Sequence, residues 1–339
     1  MPVTLRDIAE KVGYSITTVS RALAGYDDVA EETRQLILRT AQEMGYHPNI
    51  PARQLQRRRT DTIGFVIATF GPRFSDPFLS ELLAGIGNEA ARHEFDLLVA
   101  THPPRSANEL HAYRRLVRGR RVDGLIITRT RVHDERIAYL LEQKVPFATF
   151  GRSEVEGDFP WVDVDGEAGL MQVTRHLIER GHQRIAIILP PADLMFSRFR
   201  EAGFRRAMAE SRLPVQETWV TWGDLTEQGG YQAACRLLDQ HPAPTAIIAG
   251  NDVMAIGAIR AAREHGLTVG REIAIAGFDD IPMAEHTTPP LTTLRQPIYE
   301  IGRRLCRMLI ALLRGEPLEH PHVLLQPELV IRQSTVPET

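Results

Sequence analysis

The sequence predicts an α/β protein in which a small all-α unit precedes a core of two doubly wound α/β subdomains. Residues 1–45 carry three short helical patterns, and from Thr62 onward apolar strands alternate with amphipathic helices. That alternation is typical of parallel sheets covered by helices on both faces. Because the strand–helix series runs twice, with a seam near Pro160 and Trp161, we expect two lobes.

Length and composition agree with this division. The chain has 339 residues, of which 43% are hydrophobic and 24% charged, so it can form two or three compact units without disulfides. Cys235 and Cys306 both lie in amphipathic helical runs. We interpret them as reduced packing residues rather than as a disulfide or a metal pair.

The amino-terminal residues contain no apolar stretch of the kind that a signal peptide needs, and Asp7 and Glu10 follow at once. Nowhere does the sequence approach the ~18 uninterrupted apolar residues of a membrane span. We therefore expect a cytoplasmic protein with no membrane partner. No motif for a cofactor or a metal is apparent, so neither is predicted.

Charge is unevenly distributed. The formal net charge is only −3, yet the segment between Tyr46 and Thr60 contains four arginines and no acid. A local basic cluster on a nearly neutral protein indicates a small element that contacts phosphates, attached to a larger body that does not.

The three predicted helices of the first unit have recognisable ends. Thr4 and Asp7 have the spacing of a capping box, which predicts a first helix after Thr4. Ser15 can cap a second helix that runs to about Leu23, with Gly25 just past its end. A third amphipathic helix ends at Gly45.

Ala9, Gly13 and Val19 have the spacing of a helix-turn-helix. Two crossing helices need a small residue at the contact, which Ala9 supplies, and the tight turn needs the positive φ that Gly13 tolerates. Val19 then anchors the second helix in the core. The alternative is a helical bundle with a purely structural role.

A helical wheel divides the second helix into two faces. Val19, Ala22 and Leu23 form the core face, whereas Thr17, Ser20 and Arg21 point the opposite way, as residues that enter a major groove do. Arg21 is suited to guanine or to a phosphate, and Ile16 either packs or contacts a thymine methyl. The predicted DNA-contacting residues of this unit are Thr4, Ser15, Ile16, Thr17, Thr18, Ser20 and Arg21.

The segment after the third helix is too short to be a stable helix alone. Pro51 suits the first turn of one, and Leu55 would be exposed on it with arginines close behind. It is either a bare linker or a helix that folds on DNA and inserts an apolar wedge into the minor groove. Its predicted DNA-contacting residues are Asn49, Ala52, Arg53, Leu55 and Arg58.

With these motifs in place, the chain resembles bacterial repressors of the lactose repressor (LacI) family over essentially its whole length. The matching segments are TLRDIAEKVGYSITTVSRAL, EETRQLILRTAQEMGYHPN, ARQL, HLIERGHQRIAII, the FREAGF run, AGNDVMAIG, IAIAGFDDI, PPLTT and LVIRQST.

The resemblance implies a headpiece at residues 1–46, a hinge at 47–60 and a periplasmic-binding-protein-like core at 61–339 that dimerises. Its first lobe would comprise about 61–160 and 291–320, and its second lobe 161–290 and 321–339. By the same resemblance Ile16, Thr17 and Arg21 read bases, and Leu55 is the hinge wedge beside Ala52. The family's tetramers carry a carboxyl-terminal leucine repeat that this sequence lacks, so we expect a homodimer.

Two positions depart from the family pattern. Ala30 stands where a serine usually caps the third helix, so either Asp28 or a frayed first turn has to compensate. Pro51 lies inside the predicted hinge and would stiffen it before DNA is bound.

Ligands of open α/β sheets bind at the carboxyl ends of strands, and two lobes place that site in the cleft between them. Polar and aromatic residues just past the predicted strands, together with Arg200 on a helix, are therefore the candidates. The predicted effector-binding residues are Asp76, Phe78, Arg152, Trp161, Arg200, Asn251 and Asp279.

This mixture suits a mono- or disaccharide better than a purine, because carboxylates, amides and guanidinium groups bind paired hydroxyls while an aromatic ring stacks on a sugar face. Resemblance implies effector contacts for Arg200, Asn251 and Asp279, and a cavity-lining role for Trp161. Structural alternatives remain open for these positions. Arg200 could form a surface ion pair, and Trp161 could be a packing residue. Asp279 could cap the segment after its strand, and Asp252, which follows Asn251, could cap a helix.

Two other classes of protein, an enzyme and a transport protein, fit parts of the sequence. Residues 85–90 fit a dinucleotide-binding pattern on paper, but they lie in a predicted helix rather than directly after a strand. A sugar-transport protein would suit the core but not the headpiece. The sequence therefore predicts a regulator, not an enzyme. We expect it to be a repressor of a carbohydrate-utilisation operon that binds a palindromic DNA operator as a dimer and is switched by a sugar.

Overall fold

The computed structural model describes residues 3–46, 59–68, 76–102 and 109–336. The chain divides into two compact units, Met1–Arg59 and Thr60–Thr339. The predicted hinge residues Asn49, Ala52, Arg53, Leu55 and Arg58 lie outside the described residues. None of the helices in the described ranges is long and apolar enough to cross a membrane.

The first unit contains three helices, α1 (Leu5–Val12), α2 (Ile16–Leu23) and α3 (Glu31–Glu43). Thr4 caps α1 in a capping box, because its hydroxyl accepts from the Asp7 amide while the Asp7 carboxylate accepts from the Thr4 amide. Ser15 caps α2 by accepting from the Thr18 amide at 3.0 Å. Gly13 lies between these helices at a φ of +78°, which is the left-handed conformation that the turn requires.

Small and branched residues form the core of this unit. Ala9 is buried where α1 and α2 meet, and Val19 and Ile37 bring the second and third helices to the same cluster. These are the local features that the sequence indicated, since each depends on neighbours within one or two helical turns.

Helix α3 begins without a side-chain cap. Ala30 occupies the N-cap position, and the carboxylate of Asp28 binds Arg21 instead of compensating. Of the two alternatives, the cap by Asp28 is therefore wrong. Glu31 and Glu32 place two negative charges in the first turn, where they stabilise the helix by interacting with the positive end of its dipole.

The first lobe of the core is built on a six-stranded parallel sheet with the strand order β11-β5-β4-β3-β1-β2. Its strands are β1 (Thr62–Ala68), β2 (Asp96–His102), β3 (Gly124–Ile127), β4 (Phe147–Phe150), β5 (Trp161–Val164) and β11 (His322–Leu325). Helices of this lobe are α4 (Pro77–Arg92), α5 (Glu109–Arg118), α6 (Glu135–Glu142) and α11 (Ile298–Arg314).

The second lobe is built on a four-stranded parallel sheet with the order β7-β6-β8-β9. Its strands are β6 (Ile185–Leu189), β7 (Val220–Trp222), β8 (Ala246–Ala249) and β9 (Ala274–Ala276). The helices that follow these strands or precede them are α7 (Gly166–Glu179), α8 (Met195–Glu210), α9 (Glu227–Leu238) and α10 (Asp252–Glu264). Two further strands, β10 (Thr293–Arg295) and β12 (Glu328–Val330), pair antiparallel with each other.

The predicted lobe boundaries are wrong at three places. Strand β5 pairs with β4, so the chain leaves the first lobe after Val164 rather than at Pro160. Strand β11 pairs with β5 and belongs to the first lobe, although residues 321–339 were assigned to the second. Conversely, residues 291–295 hydrogen-bond to the second lobe, for example through the Asp279 amide and the Leu294 carbonyl at 2.8 Å.

The physical reason is that β5 and β11 have only four residues each and are about 160 residues apart in the sequence. Local periodicity identifies a strand, but it does not say which distant strand will be the partner. The chain thus passes between the lobes near Val164, near Gln296 and near Gln326.

Candidate functional site

A cavity lies between the two lobes of the core. The first lobe and the crossing segments contribute Asp76, Phe78, Arg129, Phe150, Gly151, Asp163, Val164, Gly166 and Gln296, and the second lobe contributes Phe196, Arg200, Leu225, Asn251 and Asp279.

Parallel-sheet topology explains why these residues meet. Phe150 ends β4, Asp163 lies in the last half of β5, and Asn251 and Asp279 follow β8 and β9 by two and three residues. The carboxyl ends of both sheets therefore face the same cleft. Five predicted residues line this cavity, namely Asp76, Phe78, Arg200, Asn251 and Asp279.

Arg200 is a deeply buried ionisable residue of the cavity. It is 6% exposed, its guanidinium lies 3.7 Å from the ring centre of Phe278 and 4.7 Å from that of Phe196, and Nη1 donates to the Gly250 carbonyl. Burial lowers its pKa to about 10. Within the described residues no acceptor is found for its Nε. The alternative of a surface ion pair is therefore wrong, because Arg200 is a buried residue of the cavity wall.

Asp279 lies near Arg200 and is equally buried. Its φ is +127°, and its Oδ1 accepts from the Gln296 side-chain amide at 2.5 Å. Burial raises the pKa of this carboxyl well above its usual value, although the Arg200 charge opposes the shift. Asp279 does not cap the following 3₁₀ segment, which begins after Ile281.

Asn251 rather than Asp252 caps α10, because the Asn251 side-chain oxygen accepts from the Met254 amide at 3.0 Å. Asp252 is the first residue of that helix and accepts from the Thr293 hydroxyl at 2.5 Å. Burial raises the pKa of Asp252 to about 6. The capping alternative for Asp252 is therefore wrong, whereas Asn251 both caps a helix and lines the cavity.

The first-lobe wall combines a charged pair with stacked aromatic rings. Asp76 caps α4 by accepting from the Phe78 amide at 3.1 Å, and it also accepts from Arg129 at 2.5 Å. Phe78 stacks on Phe150 with ring centres 5.7 Å apart. This wall offers hydrogen-bonding groups beside an apolar surface.

Two of the predicted residues, Arg152 and Trp161, do not line the cavity. They lie in a neighbouring recess, where Arg152 donates to Asp163 at 2.7 Å and the Trp161 ring stacks on His322 with centres 5.0 Å apart. Trp161 is the first residue of β5, at the amino end of the strand, whereas the cavity lies at the carboxyl end. Arg152 turns toward the carboxylate of Asp163 and supports the cavity wall from behind.

The sequence interpretation missed several residues of the cavity. Arg129 follows β3 and satisfies the same rule that selected Asn251, so its omission was avoidable. The remaining missed residues carry no local signal. Some are hydrophobic residues of the kind that usually pack in a core, and others lie within a strand or in a segment that crosses between the lobes. The missed side chains are Arg129, Phe150, Asp163, Phe196, Leu225 and Gln296.

In the three-helix unit, the predicted outer face of α2 is accessible. Ile16 is 48% exposed, which contradicts the packing alternative, and Thr17 and Arg21 are exposed as well. Thr18 and Ser20 are half-buried. Ser15 and Thr4 are exposed, but their hydroxyls serve as helix caps.

Arg21 has a carboxylate partner within this unit. Its Nε donates to Asp28 Oδ1 at 3.1 Å and its Nη2 contacts Asp28 Oδ2. The guanidinium also lies 4.8 Å from the ring centre of Tyr26.

Residues 85–90, which fit a dinucleotide-binding pattern on paper, lie within a helix, as the sequence predicted. These residues lie in the middle of α4, where a Cβ on Gly85 would come within 2.2 Å of the Tyr299 carbonyl on α11. The glycine therefore permits a close helix contact rather than a phosphate contact. No group of ligating side chains suited to a metal occurs in the described ranges.

Comparisons with known proteins agree with this architecture. The model for bacterial regulatory proteins of the lacI family matches residues 4–49, and the periplasmic binding protein-like domain matches residues 174–335. The transcriptional regulator AglR of Rhizobium meliloti (strain 1021) is 37% identical, with coverage of 99% of this chain and 95% of that protein.

Solved structures extend the match to the whole fold. A CelR–cellobiose complex has a TM-score of 0.76 at 34% identity and covers 98% of this chain and 99% of that one. A lac repressor dimer bound to operator and the anti-inducer ONPF has a TM-score of 0.86 at 28% identity, covering 99% and 100%. The chain belongs to the LacI family of bacterial transcription regulators, which bind DNA through a helix-turn-helix and are not enzymes.

Proposed function

We propose that this regulator binds a pseudo-palindromic operator as a homodimer, represses a carbohydrate-utilisation operon, and is switched by a mono- or disaccharide in the cavity between its lobes. One observation carries the proposal. The buried Arg200 guanidinium lines one cavity together with the carboxyl of Asp279 and the amide of Asn251.

The charges of the cavity favour an uncharged ligand. Asp76 is paired with Arg129, and Asp163 is paired with Arg152. Arg200 faces the carboxyl of Asp279, so the arginines of the cavity wall each have an acidic side chain nearby. Paired hydroxyls can accept from Arg200 and donate to Asp279, while Phe78, Phe150 and Phe196 provide apolar surface. The structurally similar CelR was solved with cellobiose, a disaccharide, which supports a ligand of this class.

The DNA half of the proposal depends on the headpiece. A unit of three short helices reads few base pairs, so two copies on related half-sites are needed for useful specificity. The structurally similar lac repressor was solved as a dimer on its operator, which supports the same arrangement here.

Thermal-shift measurements on the full-length chain test the ligand class. We expect a mono- or disaccharide in a panel that also contains purines to raise the melting temperature, because a ligand at about 100 times its Kd stabilises a fold by about 2.7 kcal/mol. Some DNA fragments of the source genome should bind to the chain. The same sugar should change the affinity of the chain for these fragments. Arg200→Ala should remove the thermal shift.

A purine that stabilises the chain while no sugar does would overturn the ligand class. Loss of DNA retention only when residues 1–60 are removed would assign DNA binding to the headpiece and hinge. Sedimentation that shows a stable monomer or tetramer at micromolar concentration would contradict the homodimer.

A further inference from the structure

The ion pair between Arg21 and Asp28 occupies one edge of a guanidinium group on the outer surface of the headpiece. Arg21 lies in the last turn of α2, and Asp28 lies in the loop before α3. Contacts from Nε and Nη2 reach the two carboxylate oxygens separately. Both side chains remain accessible, at 44% and 54% exposure, so DNA can approach the pair.

The loop that carries Asp28 is fixed independently of this ion pair. The Tyr26 amide donates to the Arg21 carbonyl at 3.1 Å, and Arg34 donates to the Tyr26 carbonyl at 2.7 Å. Val29, immediately after Asp28, is buried in the core of the unit. Asp28 is therefore held between anchored neighbours and provides a fixed point to which Arg21 binds.

A guanidinium has two edges that can make paired hydrogen bonds. Asp28 takes the edge formed by Nε and Nη2 of Arg21. The other edge, formed by Nη1 and the remaining hydrogen of Nη2, faces away from the carboxylate. That edge has the donor spacing that guanine O6 and N7 accept in the major groove.

We propose that Asp28 is a specificity-determining residue that positions Arg21 for recognition of a guanine. This inference rests on the proposed function, in which Arg21 contacts a base. Asp28 restricts a flexible side chain before DNA arrives, so less conformational entropy is lost when the base contact forms. Its negative charge also repels phosphates, which lowers the affinity for DNA that offers Arg21 no guanine.

The ion pair itself contributes little to folding because it is exposed. The effect of removing it therefore falls on discrimination between bases. We expect Asp28→Asn to reduce the preference for guanine at one base pair of each half-site about threefold to tenfold, which corresponds to ordering one long side chain. The affinity for unrelated DNA should rise in the same variant.

The experiment uses the full-length chain and a library of DNA duplexes of randomised sequence, with the bound and the input pools sequenced. Arg21→Ala identifies the base pair that Arg21 reads. Asp28→Asn is compared with Asp27→Asn, which removes the same charge one residue earlier. Asp27 is the matched control, since no ion pair with an arginine is seen for it in residues 3–46.

Arg21→Ala and Asp28→Asn should lose preference at the same base pair, and Asp27→Asn should keep it. In the Arg21→Ala background, Asp28→Asn should have no further effect on that preference, because it acts through the guanidinium. If Arg21→Ala changes no base preference, the base-reading role in the proposed function is wrong. In another outcome, Arg21→Ala loses a base preference while Asp28→Asn keeps it, or while Asp28→Asn merely tightens binding to all duplexes as Asp27→Asn does. Either result overturns only the positioning role of Asp28.

Discussion

Arg200 in the core and Arg21 in the headpiece show how the same side chain is used in two environments. Arg200 is 6% exposed between two aromatic rings, and its pKa is lowered to about 10 because burial disfavours its charge. Arg21 is 44% exposed and pairs with a single carboxylate. The buried arginine is held in one place by packing, whereas the exposed one needs a neighbour to orient it.

The cavity and the headpiece should therefore respond differently to mutation. Substitutions in the cavity remove desolvated contacts and should have large effects. Substitutions in the headpiece remove contacts that compete with water and salt, so their effects should be smaller and should depend on the DNA sequence.

The largest effect is expected for Arg200→Ala. Loss of a buried, hydrogen-bonded charge should weaken ligand binding by about 2–5 kcal/mol, measured by calorimetry with a sugar that stabilises the parent. Arg206→Ala is the matched control, because Arg206 lies on the same helix but is 59% exposed and paired with Glu210. Equal ligand affinity in the parent and Arg200→Ala would remove Arg200 from the site.

A buried carboxyl of the second lobe should give a pH dependence. The folded-state pKa of Asp252 is about 6, above its usual value of 3.8, so the folded state holds the proton more tightly. Asp252 alone should therefore lower the free energy of unfolding by about 2 kcal/mol as the pH rises from 4 to 6. Denaturant titrations followed by tryptophan fluorescence report this, since Trp161, Trp219 and Trp222 all belong to the unit Thr60–Thr339, and Trp219 is buried.

Asp252→Asn should show a smaller fall in stability across the same pH window, because only the Asp252 contribution is removed while Asp279 keeps its raised pKa. Parallel curves for the parent and the variant would show that folding does not raise the pKa of Asp252.

Arg21→Ala should cost about 1–3 kcal/mol on the operator and relax the preference at one base pair. Fluorescence anisotropy with operator duplexes that carry single substitutions measures both effects. A uniform loss on every duplex would mean that Arg21 contacts a phosphate.

The smallest effect is expected for Arg58→Ala in the predicted hinge. If this side chain contacts a phosphate, affinity should fall to a similar extent on all DNA sequences, and the slope of log affinity against log salt should decrease by about one. A salt slope identical to that of the parent would contradict the phosphate contact.

The accuracy of the sequence interpretation follows the range of the interactions. The headpiece was predicted well, because Thr4, Gly13 and Ser15 act on neighbours a few residues away. Asp28 is different. Its carboxylate binds Arg21, seven residues away, and does not cap the adjacent helix α3.

In the core, the alternating pattern predicted both sheets but not the pairing of β11 with β5. The same limitation applies to the cavity. Asn251 and Asp279 were found because they follow strands, but Trp161 was placed wrongly because the boundary of its strand was wrong. Leu225 and Phe196 enter the cavity through tertiary packing, which no local pattern reveals.

The central claim is that a ligand in the cavity changes DNA binding through groups such as the Asp279 carboxylate. An effector can shift DNA affinity only by binding two arrangements of the lobes unequally. Operator titrations of the parent and Asp279→Ala, each with and without a stabilising sugar, test this most directly. We predict that Asp279→Ala binds operator nearly as tightly as the parent without sugar and no longer responds to a sugar concentration that saturates the parent. A variant that keeps the full response, or that loses operator binding altogether, would contradict the account.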